Sequence, residues 1–391
     1  MKHVPFFTHS GWSELYPIGK NHQKGKLLIG AFELSELWAW ATYEYITENE
    51  QLEQEKVHFA LQNGSLNDRW VPTKASTGLI AALEPGQNLK WNGLTLFRWT
   101  TETEAPREAK SEEICYLQSP MDLFRKSKEW ILNQSSTIIH AWGLNNPNQV
   151  ALENHALIIG DQQSIWVHPT SKLIACTLNS TDGPIFIGPD VEIQEGSHLR
   201  GPLVIGEKTV VKMSTRIYGS SAIGPQCRVG GEISNCTFLG YSNKGHDGFL
   251  GQSVIGHWCN LGADTNSSNL KSNYGPVRIW SETKQEFVDS TLQFCGLLMG
   301  DHSKCGINTM FTTGTVVGTG CNIYGSGFQP KHIPDFAWGG GNEWQLHDFN
   351  RFLETAQRVM ERRGKSLEAT ETASLKEQHS SAHLRFDARD A

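Results

Sequence analysis

The 391-residue sequence lacks the features that mark membrane, secreted and disulfide-bonded proteins. It contains no run of about eighteen apolar residues, so no membrane span is predicted and no membrane partner is expected. Its N-terminus has no apolar segment that ends in a small-residue cleavage site, which argues against a secretory signal. The eight cysteines include no Cys-x-x-Cys pair, so a cytoplasmic location with reduced thiols is expected.

Motifs of several common enzyme classes are also missing. The sequence has no GxxxxGK[ST] phosphate loop, no GxGxxG before a helix, no HExxH and no GxSxG. No cluster of His, Cys, Asp and Glu has the usual metal-ligand spacing, so no metal site is predicted. The 34 Lys and Arg residues are outnumbered by 41 Asp and Glu, and the net charge of −7 argues against nucleic acid as a general partner.

What the sequence does contain is an apolar residue at every sixth position in two long blocks. The positions are Ile187, Ile193, Leu199, Ile205, Val211, Ile217, Ile223 and Val229, then Met299, Cys305, Phe311, Val317 and Ile323. A period of six fits a hexapeptide repeat, in which three short strands form one triangular coil. Gly often follows the apolar residue, because a Cβ there would obstruct the corner. The sequence therefore predicts a mainly β fold built around a parallel β-helix.

Four segments are predicted along the chain. They are an α/β domain at 1–150, the β-helix at 151–335, an amphipathic C-terminal helix within 336–364 and a flexible tail at 365–391. The first segment lacks the six-residue register and shows helical patterns over 30–52 and 119–137. The C-terminal helix is predicted over 343–362 from apolar residues at helical spacing. The tail is polar, which is typical of mobile chain ends.

The six-residue register fails between Val229 and Ile255 and again over 263–290, and both breaks are interpreted as excursions from the prism. The first break contains the glycine-flanked His246, a natural general base because the pKa of a histidine lies near neutrality. The alternative is that His246 only hydrogen-bonds its own loop. Several polar residues close by favour the functional alternative: Asn260, Asp264, Asn266, Asn269, Lys271 and Asn273.

Two other groups of residues carry charge or a titratable side chain. Asp301-His302-Ser303-Lys304 offers a second histidine, but corners of a solenoid are usually solvated, and a structural role is favoured for His302. Arg200, Lys212 and Arg216 lie on neighbouring coils. They either bind a phosphate or form a solvated face.

Long segments of the sequence resemble one known family. The similar segments are EGSHLRGPLVIGEKTVVKMSTRIYG (195–219), GYSNKGHDGFLGQSVIGHWCNLGADTNSSNLKSNYG and GLLMGDHSKCGINTMFTTGTVVG. They resemble the sugar nucleotidyltransferases related to the bifunctional N-acetylglucosamine-1-phosphate uridyltransferase/glucosamine-1-phosphate acetyltransferase. The similarity covers about 180–345 and is weaker in the first domain. It implies a left-handed parallel β-helix, a homotrimer, and acetyl-CoA bound between neighbouring prisms.

The resemblance implies roles for residues that would bind or activate the substrate. His246 falls on the general base that takes a proton from the sugar amine, and Arg216 falls on the arginine that holds the sugar phosphate. Asn260 falls on the sugar-binding Asn of the pattern N-[IL]-G-A. Lys244 is assigned to the same substrate site.

The resemblance also implies a set of cofactor contacts. Ala263 falls on the alanine of N-[IL]-G-A that contacts acetyl-CoA, and Asn273-Tyr274 resembles a later pair near the cofactor. Lys304 completes the predicted cofactor-binding set.

Some positions depart from the family pattern. Ser234 replaces a lysine that the family has twelve residues before the histidine, and Phe249 replaces a tyrosine three residues after it. In the first domain, only Gly19-Lys20 and Lys24-Gly25-Lys26 could hold a triphosphate, and no acidic residue stands close by for Mg²⁺.

Three functions are compatible with these observations. The favoured one is an acyl-CoA-dependent N-acyltransferase, with acetyl-CoA as donor and a phosphorylated or nucleotide-linked amino sugar as acceptor. The second is a sugar-1-phosphate nucleotidyltransferase that uses Mg²⁺, with the β-helix as its trimerising scaffold. The third is a non-catalytic sugar-nucleotide-binding scaffold, which the departures at Ser234 and Phe249 favour.

Overall fold

The computed structural model describes residues 6–7, 15–18, 28–49, 51–67, 69–73, 75–110, 114–146, 155–340 and 343–390. The chain divides into two compact units, Met1–Leu15 with His22–Ser119 and Tyr16–Asn21 with Pro120–Ala391. No helix within the described ranges is both long and apolar enough to cross a membrane.

The first unit is a small α/β unit, as its mixed patterns predict. Its five-stranded sheet has the order Phe6–Phe7, Gly64–Asn67, Leu94–Trp99, Gln87–Trp91 and Glu104–Glu108. Its helices are Leu34–Glu48, Gln51–Asn63 and Ser76–Ala81, and its short strands are Leu28–Ile29, Phe32–Glu33, Trp70–Val71 and Cys115–Tyr116. The helical pattern over 30–52 corresponds to the first of these helices and the start of the second.

The second unit is a parallel β-helix with three faces. The first face contains Leu157–Ile159, Thr177–Asn179, His198–Arg200, Arg216–Tyr218, Glu232–Ser234, Phe249–Gly251, Asn266–Ser267 and Met310–Phe311. The second face contains Ile165–Val167, Ile185–Ile187, Leu203–Ile205, Ser221–Ile223, Thr237–Gly240, Val254–His257, Leu298–Met299, Val316–Val317 and His332–Ile333. The third face contains Lys172–Leu173, Glu192–Ile193, Val210–Val211, Arg228–Val229, Asn243–Lys244, Asn260–Leu261, Lys304–Cys305, Asn322–Ile323, Ala337–Gly340 and Glu343–Leu346.

The core of the prism confirms the six-residue register. Every residue of the two apolar blocks belongs to one continuous buried cluster, and none is more than 4% exposed. Successive coils pair in parallel along each face, as Ile187 does with Ile205 and Ile205 with Ile223. Such stacking buries one aliphatic side chain per strand, which is why the period in the sequence is six. None of the eight cysteines forms a disulfide, and all except Cys115 are buried.

The first break in the register is not an excursion, and that prediction is wrong. Between Val229 and Ile255 the strands continue around the prism, and their inward residues are Ile233, Phe238, Lys244 and Leu250. Successive inward residues are spaced four, five, six, six and five apart, because some corners are shorter. A search for an apolar residue at every sixth position fails where the corners are shorter. The inward Lys244 makes the repeat still harder to detect, because it is not apolar.

The second break does leave the prism. Residues 268–297 connect the first-face strand Asn266–Ser267 to the second-face strand Leu298–Met299. They contain an antiparallel hairpin formed by Arg278–Ser281 and Glu286–Asp289.

The three faces differ in what covers them. Outward side chains of the second face, such as Phe186, Val204 and Ala222, are at most 1% exposed. The helices Asp122–Arg125, Ser127–Asn133 and Ser135–Trp142 belong to the same unit, and Thr237 of this face donates to the Leu123 carbonyl at 2.9 Å. The prediction that places these helices in the domain at 1–150 is wrong, because they belong to the unit of the β-helix. On the first face, by contrast, His198, Arg200, Arg216 and Tyr218 are exposed.

The C-terminal segment contains two helices instead of one helix and a mobile tail. The first helix, Phe349–Glu361, begins at the capping residue Asp348, and 343–346 form a strand against Ala337–Gly340. The second helix, Ala369–Asp390, occupies the segment whose polarity predicts mobility. Two of its apolar residues, Leu375 and Ala382, are at most 1% exposed and pack with Phe336, Phe352 and Ala356.

Close approach of neighbouring coils explains why glycine follows some inward residues but is dispensable after others. A Cβ added at Gly300 would lie 2.9 Å from backbone atoms of Gly318 and Thr319, whereas at Gly306 the nearest atom would be 3.7 Å away. Gly300→Ala is therefore expected to destabilise the protein by about 1–3 kcal/mol through overpacking. The matched Gly306→Ala variant should stay within about 0.5 kcal/mol of the wild type. Denaturant unfolding of both variants measures the difference, and equal stabilities would contradict the explanation.

Candidate active site

The corner that carries His246 joins the third face to the first. The strand Asn243–Lys244 ends on the third face, and the strand Phe249–Gly251 begins on the first. Residues 245–248 turn the corner between them, and His246 and Asp247 are exposed there. The histidine that was predicted to act as general base is thus accessible to a substrate.

The next two coils stack directly on this corner. The N–H of Asp264 donates to the carbonyl of Asp247 at 3.0 Å, and the N–H of Asn308 donates to the carbonyl of Ala263 at 2.8 Å. Ala263 therefore lies on the coil after His246, about 5 Å along the axis at the usual strand spacing. His246 and Ala263, predicted for the base and for the cofactor contact, share one corner of the prism.

A groove of about 450 Å³ begins one coil beyond His246. It is lined by Asp264, Asn266, Ile307, Asn308, Met310 and residues 325–327. Asn266 fixes one wall, because its Oδ1 accepts from the N–H of Phe249 at 2.8 Å and its Nδ2 donates to Asp264 Oδ1 at 3.1 Å. Ile307 is 70% exposed and adds an apolar wall. A ligand with both polar and apolar parts fits such a lining.

The part of this groove that comes from the last coils is not predicted from the sequence. Ile307, Asn308 and Met310 follow the excursion 268–297, so nothing in a linear count connects them with Asp264. A signal does exist, because Leu261-Gly-Ala-Asp-Thr-Asn and Cys305-Gly-Ile-Asn-Thr-Met share the pattern apolar, Gly, any residue, Asp or Asn, Thr. Aligning the two hexapeptides would have identified these residues as neighbours.

Lys244, predicted to bind substrate, points into the prism instead. It pairs with Val229 on the third face and is 1% exposed. Its Nζ donates to the carbonyl of Gly230 at 3.1 Å and to the carbonyl of His246 at 2.8 Å. The assignment to the substrate site is wrong for this geometry, because the ammonium group is enclosed by the core and faces backbone carbonyls.

Burial gives Lys244 a measurable effect on stability. Desolvation lowers the pKa of Lys244 from 10.5 to about 8, and the carboxylate of Asp247 opposes part of this shift. Between these two pH values the unfolded chain binds more protons than the folded one, so stability rises with pH across the window. The stability of the wild type minus that of Lys244→Met should increase by about 3 kcal/mol from pH 8 to 10.5. Denaturant unfolding at several pH values tests this, and a difference independent of pH would contradict it.

Two predicted residues lie on the outer side of the third face. Asn260 pairs with Asn243 on one side and Lys304 on the other, and its side chain is exposed. The Nζ of Lys304 donates to the carbonyl of His302 at 3.0 Å, and burial lowers the pKa of Lys304. Asn260 therefore lies near the His246 corner and is accessible, whereas Lys304 is engaged with its own backbone.

Arg216 lies on the open first face, away from the corner. It pairs with Glu232 in the ladder, and Glu232 pairs with Phe249, so Arg216 is two coils or roughly 10 Å from the coil of His246. Its guanidinium lies 3.7 Å from the carboxylate of Glu232.

Asn273 and Tyr274 do not belong to the strands of the prism. They belong to the excursion 268–297, which leaves the prism between the first and second faces. The Oδ1 of Asn273 accepts from the N–H of Gly275 at 3.0 Å, and the side chain of Tyr274 is 68% exposed. Within one chain these two residues are not brought together with His246.

The second histidine candidate is buried, and the expectation of a solvated corner is wrong. His302 is 2% exposed and stacks on Trp258, with ring centroids 6.4 Å apart. Phe352 of the first C-terminal helix contacts its edge, and Glu371 of the second lies 3.8 Å from its Nε2. The two C-terminal helices cover this corner, so a structural role fits His302. The described ranges contain no group of three or more His, Cys, Asp or Glu placed to hold a metal ion.

Curated proteins similar to this chain are named as bifunctional proteins. Bifunctional protein GlmU of Methanocaldococcus jannaschii is 30% identical over 123 residues, which cover 32% of this chain and 27% of the relative. Bifunctional protein GlmU of Synechococcus elongatus is 24% identical over 290 residues, which cover 64% of this chain and 59% of the relative. A bifunctional sugar-1-phosphate nucleotidylyltransferase/acetyltransferase of Sulfurisphaera tokodaii is 26% identical over 189 residues, which cover 47% and 43%.

These relatives confirm the resemblance that the sequence motifs indicate. The chain spans less than two thirds of the length of each of these three relatives. No protein-family model matches it.

Among solved structures, the chain is similar to the polySia-specific acetyltransferase NeuO (17% identity, 50% of this chain and 77% of that chain, TM-score 0.29). It is also similar to AntD, an N-acyltransferase from Bacillus cereus (8% identity, 56% and 97%, TM-score 0.25). At TM-scores this low, neither likeness carries a conclusion about this chain.

Proposed function

We propose that this chain is an acyl-CoA-dependent N-acyltransferase whose acceptor is a phosphorylated or nucleotide-linked amino sugar. The observation that carries the proposal is the exposed His246 at a corner of the solenoid, one coil from a groove with polar and apolar walls. The relatives named as bifunctional GlmU and as a sugar-1-phosphate nucleotidylyltransferase/acetyltransferase support an activated sugar as substrate.

His246 acts as the general base in the proposed reaction. The amine nitrogen of the sugar attacks the thioester carbonyl of acyl-CoA and forms the new N–C bond, while the neutral imidazole takes the proton from that nitrogen. The tetrahedral intermediate then collapses, the C–S bond breaks, and the departing CoA thiolate receives the proton from the imidazolium. A backbone N–H at the corner is the proposed donor to the oxyanion, an interaction typically worth about 10²–10³ in rate.

The charged residues around the corner suit an amino sugar with a phosphate. Asp247 and Asp264 are exposed on successive coils, and their carboxylates favour the imidazolium that forms on His246 when the neutral amine attacks. Arg216 is the proposed phosphate ligand, and it would exchange the carboxylate of Glu232 for the phosphate oxygens.

Apolar residues in and beside the groove suit the acyl-CoA donor and a second copy of the chain. Ile307, Met310 and Phe328 are exposed, and Met310 and Phe328 are bridged on the first face. Exposed apolar residues grouped in this way are typical of an interaction surface. A homotrimer is proposed, in which Asn273 and Tyr274 of one copy approach the groove of a neighbour and complete the cofactor site.

Nucleotidyl transfer is the second candidate, because the Sulfurisphaera tokodaii relative is named for both reactions. In this chain the residues that could hold a triphosphate, Gly19-Lys20 and Lys24-Gly25-Lys26, lie outside the described ranges. Incubation with a nucleoside triphosphate, a sugar 1-phosphate and Mg²⁺ tests this candidate through the release of pyrophosphate.

The acyltransferase proposal is tested with the wild-type chain, acetyl-CoA and glucosamine 1-phosphate. Free CoA should be released only when the amino sugar is present, and calorimetry should detect binding of acetyl-CoA alone. N-acetylglucosamine 1-phosphate is the matched control acceptor, because its nitrogen is already acylated. Failure to release CoA, together with no heat of acetyl-CoA binding, would favour the non-catalytic scaffold.

A further inference from the structure

A lysine in the interior of a β-helix requires an explanation. The equivalent inward positions on neighbouring coils of the third face are aliphatic, as at Val211, Val229 and Leu261. An enclosed ammonium group is unfavourable unless hydrogen bonds replace its hydration. Lys244 makes two such bonds, and both acceptors are carbonyls of the corner between the third and first faces.

Four of the eight coils tie this corner together with a hydroxyl group. The residue that precedes each first-face strand is Ser197, Thr215, Thr265 or Thr309 in four of the coils, and each is at most 1% exposed. Ser197 and Thr215 donate to the carbonyl of Lys212. Likewise, Thr265 donates to the carbonyl of Gly262 at 2.7 Å, and Thr309 donates to the carbonyl of Gly306 at 2.8 Å.

Two consecutive coils have glycine at this position and therefore lack the hydroxyl. They are the coils of Gly231 and Gly248, whose φ values are +75° and +116°. A Cβ at Gly231 would lie 2.8 Å from the carbonyl oxygens of Gly248 and His246, and a Cβ at Gly248 would meet the backbone of Thr265. A threonine cannot be accommodated at either position. The two carbonyls that Lys244 binds, those of Gly230 and His246, belong to these two coils.

We propose that Lys244 is a positioning residue that replaces the two missing hydroxyl groups and fixes the backbone of the His246 corner from inside the prism. Its place in catalysis rests on the proposed function, whereas its effect on the corner does not. The general base then sits on a corner held by an internal ammonium group. The imidazole remains exposed, and its backbone is anchored.

The test compares Lys244→Met, which removes the donor while keeping the length of the side chain, with Leu261→Met on the next coil. Both changes place methionine at an inward position of the third face, but only the first removes hydrogen bonds. Amide hydrogen exchange of residues 245–248 should become about tenfold faster in Lys244→Met, since these bonds restrain the opening of the corner. It should be unchanged in Leu261→Met. Exchange at the core strands Val210–Val211 and Val316–Val317 reports whether the solenoid is intact.

The same pair of variants separates positioning from stability in the enzyme assay. Lys244→Met should lower kcat about 10²-fold with little change in KM for acetyl-CoA, because a displaced catalytic group slows the chemical step. Unchanged exchange at 245–248 in a folded Lys244→Met protein would overturn the inference. If that variant does not fold, Lys244→Leu removes the donor in the same way and places the aliphatic side chain of the next coil at this position. Its corner exchange should also be about tenfold faster than in the wild type, and exchange equal to that of Leu261→Met would overturn the inference. If the wild type shows no acyl transfer, the proposed function is refuted. The hydrogen-exchange measurement still decides whether Lys244 restrains the corner.

Discussion

A His246→Gln variant is expected to lose about 10²–10⁴-fold in acyl-transfer rate, the usual contribution of a general base. Glutamine keeps a polar side chain of similar size but cannot accept a proton near neutral pH. His246 is exposed at its corner, so the substitution removes no core contact and the solenoid should unfold at the wild-type denaturant concentration. The measurement is CoA release from acetyl-CoA and glucosamine 1-phosphate under saturating conditions.

The matched control is His198→Gln. His198 is also an exposed histidine of the solenoid, but it lies on the first face several coils away from the groove. Its replacement should leave the rate within twofold of the wild type. Equal rates for His246→Gln and His198→Gln would rule out His246 as the base and favour the alternative in which it only supports its loop.

Phe238→Ala is expected to produce the largest loss of stability, about 3–5 kcal/mol. Phe238 is fully buried at an inward position of the second face, where it pairs with Ile223 on one coil and Ile255 on the next. The coils above and below are held by backbone hydrogen bonds and cannot collapse into the cavity that the substitution leaves. The loss of unfolding free energy should therefore be near the upper end of the usual range.

Met213→Ala is the control for this prediction. Met213 is 65% exposed on the same solenoid, so its truncation should change the free energy of unfolding by no more than about 0.5 kcal/mol. Denaturant unfolding of both variants, followed by circular dichroism, measures the two effects. A loss below about 1 kcal/mol for Phe238→Ala would mean that the core near residue 238 repacks, contrary to the ladder geometry.

The regular blocks of the fold could be predicted because each strand contributes one inward aliphatic residue at a constant spacing. From Ile187 to Val229 every corner has the same length, so the period survives in the sequence. Between Val229 and Ile255 the corners shorten and the inward residue Lys244 is not apolar, so both signals disappear although the coils continue. The helix Ala369–Asp390 escaped prediction because, among its side chains described at 369–382, most are polar and only Leu375 and Ala382 belong to the buried cluster.

The candidate site could be predicted only in part for a related reason. A glycine-flanked histidine is visible in the sequence, and His246 is indeed exposed at a corner. Whether a neighbouring polar residue points outward depends on its position in the strand relative to the inward residue. At Lys244 this position could not be predicted from the sequence. Proximity across coils was also hidden, because the 30-residue excursion separates Asp264 from Asn308 along the chain while the two remain stacked in space.

The buried thiols of the solenoid become reactive only when it unfolds, so their labelling can be used to measure unfolding. Burial raises the pKa of Cys227, Cys236 and Cys321 to about 12, so these thiols have neither the access nor the thiolate form that oxidants and alkylating reagents require. Cys115, in the other unit, is only half-buried. Alkylation of the native protein should therefore begin at Cys115, and labelling of the interior thiols should follow the rate at which coils separate.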